Sequence, residues 1–334
     1  MKKIILKNDF SRIGILTDEN VARCWLEKVK KAVGKETIDI VIPAGEKSKT
    51  INQAKIIWRK MLEAGFDRNS LLINLGGGVI GDLGGFCAST FMRGIDFIQI
   101  PTTLLAMVDA SVGGKTAVDL DDIKNTIGTF SLPIDVIIDV DFLKTLPKRE
   151  LVAAFAEIIK HSIIDSREHF DLVTSKKPLE FNKKEIGEII ERSIRLKQSI
   201  VKKDFKELSG LRRVLNFGHI IGHAIESLSL KSDHSLLHGE AVAIGLVAES
   251  KLAHLLGLLS EKDFLLIEKA IINVGLPTKI KNISIEEVLK IMSFDKKNIG
   301  KKILWSLPKK IGEVGFNIEA PKELVVEVIK SVII

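Results

Sequence analysis

The sequence predicts two domains: an α/β domain with a parallel sheet over residues 1–146, then an all-α domain over residues 147–334. Three observations carry this. The first 145 or so residues alternate short Ile- and Val-rich runs with amphipathic stretches, the pattern of a sheet covered on both faces. After Leu146-Pro147 the pattern changes to long segments with helical periodicity. The 334 residues also exceed what one hydrophobic core usually holds.

In chain order, strands are expected at Arg12–Leu16, Thr37–Ile42, Leu71–Leu75, Phe97–Ile100 and Val136–Asp139. Asn20–Val33 and Thr50–Ala64 carry apolar residues at helical spacing between them. In the second half, Lys183–Lys203, Arg212–Leu228, Gly239–Leu256 and Glu261–Val274 each read as a helix. Ser284 with Glu287 forms a capping-box pattern that opens another. A short extended piece, Lys302–Leu307, and a turn near Gly312 precede a last helix.

Composition narrows the function classes. The net charge of +7 comes from lysines scattered along amphipathic helices, with no aromatic-interleaved basic stripe, which argues against a nucleic-acid partner. The best apolar stretch, Ala241 to Leu259, is broken by Glu249 and Lys251, so no membrane span is expected. The opening Met-Lys-Lys-Ile-Ile-Leu-Lys is too short an apolar run for a secretory leader, and Cys24 and Cys87 form no disulfide framework. A cytoplasmic protein is expected. It contains no tyrosine, so any proton relay uses other side chains.

Two loops suit anions. Leu71–Leu75 runs into Gly76-Gly77-Gly78-Val-Ile-Gly81-Asp82, where glycines admit a close backbone approach and the following helix start adds its positive end. The spacing differs from Gly-x-Gly-x-x-Gly with an acid about 20 positions later. The second loop, Pro101-Thr102-Thr103 through Asp109 to Gly113-Gly114-Lys115-Thr116 with Lys124-Asn125 beyond, offers lysines and an amide to a phosphate or carboxylate.

Seven histidines can be weighed singly. His219 and His223 lie one helical turn apart, a spacing that can hold zinc. His238-Gly239-Glu240 opens the next helix, and Glu157 supplies a carboxylate with Lys160 one turn on. One carboxylate with two or three histidines and an open position is a catalytic set. Spacing leaves open whether His161 or His223 is a ligand. His169, His234 and His254 have no partner at ligand spacing and read as surface or packing residues.

These segments, with Arg93-Gly94, Thr145-Leu-Pro-Lys-Arg-Glu150, Leu215-Asn-Phe-Gly-His219 to Glu226 and His238-Gly-Glu240, resemble the 3-dehydroquinate synthases, in family order from about residue 12 to 315. The resemblance implies a Rossmann-like first domain, a helical metal-binding second domain, bound NAD and a zinc or cobalt ion. It implies Glu157, His219 and His238 as the metal ligands, with His223 moved to the substrate phosphate or a supporting role. Asp109, Lys160, Lys197 and Asn216 would surround the reacting hydroxyls. Arg212 and Lys115 would meet a substrate carboxylate, and Asn125, His223 and Lys296 or Lys297 the phosphate. Arg93 would reach a neighbouring subunit's site, which implies a homodimer. For NAD the matching positions are Asp18, Asn20, Glu46, Lys49, Gly77, Gly78, Asp82, Thr102, Thr103, Lys115, Lys124, Phe142 and Thr145.

The implied substrate is a phosphorylated sugar acid, cyclised with no net redox change. Some positions depart from the family pattern: Asp109-Ala-Ser, Thr116-Ala-Val-Asp119, Ile220, Ala154 and Ser162, and one extra residue between Glu207 and Arg212 that puts Glu207's role in doubt. Three other readings stand beside this one: a sister cyclase acting on an uncarboxylated sugar phosphate (2-deoxy-scyllo-inosose or valiolone type), a metal-dependent alcohol or glycerol-phosphate dehydrogenase, and an inactive NAD-binding sensor.

Overall fold

A computed structural model describes residues 9–121, 123–230, 235–293 and 303–334. The chain divides into two compact units, Met1–Pro147 and Lys148–Ile334. Among the described residues no helix is long and apolar enough to cross a membrane.

The N-terminal unit is built on β1 (Ile13–Asp18), β2 (Ile38–Ile42), α1 (Ile51–Glu63), β3 (Leu71–Gly76), α2 (Gly78–Thr90), β4 (Asp96–Pro101), β5 (Lys115–Leu120), β6 (Ile123–Phe130) and β7 (Asp135–Val136). Five strands pair in parallel in the order β2-β1-β3-β4-β7. β3 is buried along its whole length, as a strand covered on both faces must be, and its Leu71-Leu-Ile run is accordingly continuous rather than alternating. One core joins the sheet to α1 and α2 through Leu16, Ile40, Ile57, Met61, Leu72, Leu83 and Phe97. The strand order turns around between β1 and β3, and ligands of such sheets bind beyond the carboxyl ends at that switch. Asp18 and Gly76 end those two strands. The stretch 19–33 is helical but widens into a π turn at Ala22–Leu26. Part of the second glycine loop is more ordered than the sequence suggests: β5 and β6 form an antiparallel hairpin.

The C-terminal unit contains α3 (Lys148–Asp165), α4 (Arg167–Thr174), α5 (Lys183–Lys203), α6 (His219–Ser229), α7 (His238–Leu255), α8 (Glu261–Asn273), α9 (Ile285–Ser293), β8 (Trp305–Lys310), β9 (Glu313–Ile318) and α10 (Lys322–Val332). It is helical with one addition, the antiparallel hairpin β8–β9 where a single extended piece was expected; residue 302 lies outside the described residues. The helix expected over Arg212–Leu228 is in fact two elements. A 3-10 turn at Leu211–Asn216 stops at Phe217, and α6 starts after Gly218, whose φ of +80° only glycine adopts cheaply. The capping box at Ser284 forms as expected, with the Ser284 hydroxyl accepting from Glu287 N–H at 3.1 Å.

α7 is the central helix. Ala241 to Ala248 are all buried, the signature of a helix covered on every side. Its small residues allow neighbours to touch backbone. A Cβ at Gly239 would lie 1.9 Å from the Ala153 carbonyl oxygen on α3, and one at Gly245 would lie 2.0 Å from that of Gly218. These contacts hold α3, α6 and α7 together.

Candidate active site

In the N-terminal unit the site residues collect at the carboxyl ends of the strands. Gly77 opens α2 with no side-chain cap, leaving the first-turn amides to an anion. Thr102 N–H donates to the Gly76 carbonyl at 2.9 Å and fixes the turn, while the buried Thr102 hydroxyl has no hydrogen-bond partner among the described residues. Thr103 Oγ1 accepts from Ala106 N–H at 3.1 Å. A glycine turn, uncapped amides and an unmatched hydroxyl at the switch point fit a dinucleotide.

Lys49 is buried, with Nζ 2.5 Å from Asp82 Oδ2 and also donating to Asn125 Oδ1. Burial alone would lower its pKa, but the charges of Asp82, Glu46 and Asp119 prevail and raise it. Lys49 also holds the hairpin. Its carbonyl accepts from Asp119 N–H at 2.8 Å, and Asp119 Oδ1 accepts from Asn125 N–H at 2.7 Å. Asn125, expected at the phosphate, thus meets Lys49, a residue expected at NAD. Asp18 caps the stretch after β1 by accepting from Asn20 and Val21 N–H at 2.9 and 3.0 Å. Asn20 Oδ1 accepts from Arg23 at 2.6 Å. Thr145 Oγ1 accepts from the Trp25 indole at 2.7 Å, and Phe142 packs edge-on to Trp25 with centroids 4.8 Å apart. Trp25, named by no motif, therefore supports two expected cofactor residues. Glu46, Lys115, Lys124 and Arg93 are exposed, Arg93 with φ of +71°. Asp109 is half-buried on a π turn, Ala106–Ala110.

In the C-terminal unit the buried Glu157 of α3 is the centre. Lys160, one turn on, ion-pairs with its Oε2. Oε1 faces His219 Nε2 at 3.2 Å and His238 Nε2 at 3.5 Å, without hydrogen-bond geometry. Burial raises the Glu157 pKa, yet Lys160 and His219 outweigh it and hold the carboxylate well below its ordinary range. The outer nitrogens of both rings are engaged. His219 Nδ1 lies 3.1 Å from the Phe217 carbonyl oxygen and His238 Nδ1 3.0 Å from Glu226 Oε2. This turns both Nε2 atoms inward, the arrangement metal-binding histidines use. Ligand atoms around a tetrahedral zinc ion with bonds of about 2.0–2.1 Å lie about 3.3 Å apart, which the observed spacing matches. Burial lowers the His238 pKa, but the carboxylates of Glu157 and Glu226 beside the ring prevail and push it up to about 10. A cation held there replaces that proton.

His223 joins the cluster, its ring 5.0 Å from that of His219 and 5.7 Å from that of His238. His161 is buried on α3, and His169 is a packing residue whose Nδ1 lies 3.0 Å from Asp165 Oδ2. His234, Lys296 and Lys297 lie outside the described residues. The start of α7 is held by Arg149, which donates to both Glu240 oxygens at 2.8 Å.

Lys197 is buried on α5, and Asn216 ends the 3-10 turn. Arg212 is buried and oriented. Its backbone N–H donates to Asp204 Oδ2 at 3.1 Å, Nη1 donates to the Phe205 carbonyl at 3.0 Å, and Nε lies 3.4 Å from Glu207 Oε1. Asp204 also accepts from Ser209 N–H at 3.0 Å. Burial raises the Asp204 pKa, but these amide donors outweigh it and lower it. Glu207 has a left-handed backbone, φ +58°, with its carboxylate beside Arg212.

Sequence reasoning gave no role to Trp25, Asp119, Asp204, Glu226 or Glu249. Two of them had a signal. Glu226 continues the His219–His223 stripe at i+7, and Glu249 is a charge inside an apolar run.

Comparison with known proteins agrees with this geometry. The model described as 3-dehydroquinate synthase N-terminal matches residues 39–153, and that described as 3-dehydroquinate synthase C-terminal matches residues 154–298. The chain is 46% identical to a 3-dehydroquinate synthase of Thermodesulfovibrio yellowstonii, over 93% of this chain and 88% of that one. It is 42% identical to a 3-dehydroquinate synthase of Acetivibrio thermocellus, over 93% and 91%. A solved structure of a 2-epi-5-epi-valiolone synthase from Streptomyces hygroscopicus subsp. jinggangensis, with NAD+ and Zn2+ bound, superposes with a TM-score of 0.87 at 26% identity, covering 96% of this chain and 90% of that one. With relatives this similar along nearly its whole length and a cluster of the expected residues, the chain belongs to the 3-dehydroquinate synthase family.

Proposed function

We propose that the chain converts 3-deoxy-D-arabino-heptulosonate 7-phosphate into 3-dehydroquinate and phosphate, as a phosphate-eliminating lyase dependent on NAD and a divalent cation. The observation that carries the reading is the convergence of His219 Nε2 and His238 Nε2 on the buried Glu157, beside Lys160, in a chain 46% identical to a 3-dehydroquinate synthase. Glu157, His219 and His238 would hold zinc or cobalt, and the glycine turn with Thr102, Lys49 and Asp82 would hold NAD. NAD when bound supplies reversible hydride acceptance, and the cation polarises a substrate hydroxyl.

The chain's own residues bind and orient. Lys160 is held by its ion pair with Glu157 Oε2 and brings a positive charge to where alkoxide or enolate charge develops. The buried Lys197 adds a second. Arg212, already held at Nη1 and Nε by Phe205 and Glu207, is assigned to the substrate carboxylate, where a guanidinium suits a planar anion. His223 is assigned to the substrate phosphate. With no tyrosine in the chain, the phosphate leaving group serves as its own base for the proton lost in elimination. A homodimer in which Arg93 serves the neighbouring site, and a cytoplasmic location, complete the reading.

The test is phosphate release from 3-deoxy-D-arabino-heptulosonate 7-phosphate with catalytic NAD and zinc, while NADH absorbance is followed. Phosphate without net NADH is the expected result. Net NADH would make the chain a dehydrogenase. A second reading, a sister cyclase, is favoured by likeness to the valiolone synthase structure. Silence on the carboxylated substrate, with activity on an uncarboxylated sugar phosphate, would establish it.

A further inference from the structure

Glu249 has no part in the steps above, yet it is a carboxylate with no solvent exposure in the middle of α7. A buried carboxylate is costly unless hydrogen bonds hold its charge. Both its oxygens are engaged by one short stretch of backbone. Gly218 N–H donates to Oε2 at 2.6 Å, and Ile221 N–H donates to Oε1 at 3.1 Å. That stretch is the first turn of α6 and contains His219.

The local sequence explains why a distant residue is needed. The third amide of a helix is usually capped by the side chain just before the helix. Here that position is Gly218, which has no side chain, so Glu249 from α7 takes over the task. A second, steric observation concerns the same residue. A Cβ at Gly245 would lie 2.0 Å from the Gly218 carbonyl oxygen, and one at Gly218 would lie 2.6 Å from Leu246 Cδ2. Gly218 is therefore pinned to α7 by a carboxylate and by direct packing. α7 begins with His238, so one helix carries one candidate ligand and, about three turns later, the acceptor that fixes the turn bearing the other.

We propose that Glu249 is a positioning residue for the metal centre. It locks the His219 turn of α6 onto α7, so that His219 Nε2 and His238 Nε2 keep the spacing a small cation needs. The inference rests on the reading of Glu157, His219 and His238 as the metal ligands. An ordinary helix cap would affect thermal stability only, whereas a positioning residue also sets the metal affinity of the folded protein.

The experiment is a titration of the full chain with cobalt(II), followed by visible absorbance, with zinc(II) competition. Wild type is compared with Glu249→Gln at a temperature where circular dichroism shows both folded. Glutamine keeps the shape but offers one acceptor oxygen to two N–H donors. Cobalt affinity is expected to fall about 10- to 100-fold, with an altered visible spectrum and NAD affinity within about twofold of wild type. A folded Glu249→Gln with wild-type cobalt affinity and spectrum would overturn the proposal. Should that variant not fold, Glu249→Asp, which keeps the charge but falls one methylene short, decides the matter by the same reading. Wild-type protein that takes up neither cobalt nor zinc would instead overturn the metal set itself.

Discussion

The two candidate ligand regions are built on opposite principles. The N-terminal edge offers an anion mostly backbone: the uncapped first turn of α2 behind Gly76-Gly77-Gly78, with Lys49 neutralised by Asp82. The C-terminal cluster is made of side chains, a buried carboxylate facing two imidazoles whose outer nitrogens are taken. A backbone site tolerates change in most neighbours but not added bulk at its glycines. A side-chain site tolerates bulk but not the loss of one charge, because each buried ionic group depends on the others. Damage to one region should therefore spare ligand binding by the other.

The largest effect is expected from Glu157→Gln, which removes the anion that both Nε2 atoms face. Phosphate release should drop about 1000-fold or more, metal content measured by elemental analysis should collapse, and NAD affinity should stay within about twofold. An equal loss of NAD affinity would break the comparison. Arg212→Ala should lower kcat/KM on the carboxylated substrate about 100-fold, the value of a charged hydrogen-bonding partner. Metal content should be unchanged, and wild-type kcat/KM would remove the carboxylate role from Arg212.

Gly78→Ala tests the other region. The added Cβ would meet Ala110 Cβ at 3.4 Å, ordinary contact, so the fold should hold. NAD affinity, read by fluorescence titration, should nevertheless fall about tenfold, because the amides cannot be approached as closely. Cobalt affinity should not change.

pH sharpens the comparison further. Without a bound cation, the neighbouring carboxylates push the His238 pKa up to about 10 from an ordinary 6.5. A raised pKa contributes stability that is fully present below about pH 6.5 and is lost as pH rises through about 10. Melting temperatures under chelation should thus fall by a few degrees between those limits, and zinc, by occupying the nitrogen, should abolish the slope. Glu157 and Asp204, with lowered pKa values, act at the other end: their contributions are present at neutral pH and lost as pH falls into the carboxylate range. The smallest effect belongs to Thr145→Val, which removes the acceptor for the Trp25 indole and should cost about 1 kcal/mol by denaturant unfolding, with no change in metal affinity.

Much of this was legible in the chain. Periodicity set α5 at Lys183–Lys203, and Ile and Val runs placed β1, β2, β3 and β4 within two residues of their observed ends. The Ser284 box marked the start of α9 because capping is a contact between residues three apart. Local patterns carry such information since propensity, capping and burial of one face act within a few residues. They failed where a local signal was overruled. Arg212–Leu228 has helical spacing throughout, but the tight packing of Gly218 on Gly245 and Leu246 selects a left-handed backbone and splits the helix.

The sequence by itself determined the class of the protein, the order of its elements and the residue types available for anions and a cation. Only the tertiary structure decided how those residues are used. Which imidazole nitrogen faces inward depends on Phe217 and Glu226, and what holds the His219 turn depends on Glu249, 30 residues beyond that histidine. Those are hydrogen bonds between buried groups on different helices. Their geometry is fixed by packing of α3, α6 and α7 rather than by any spacing along the chain.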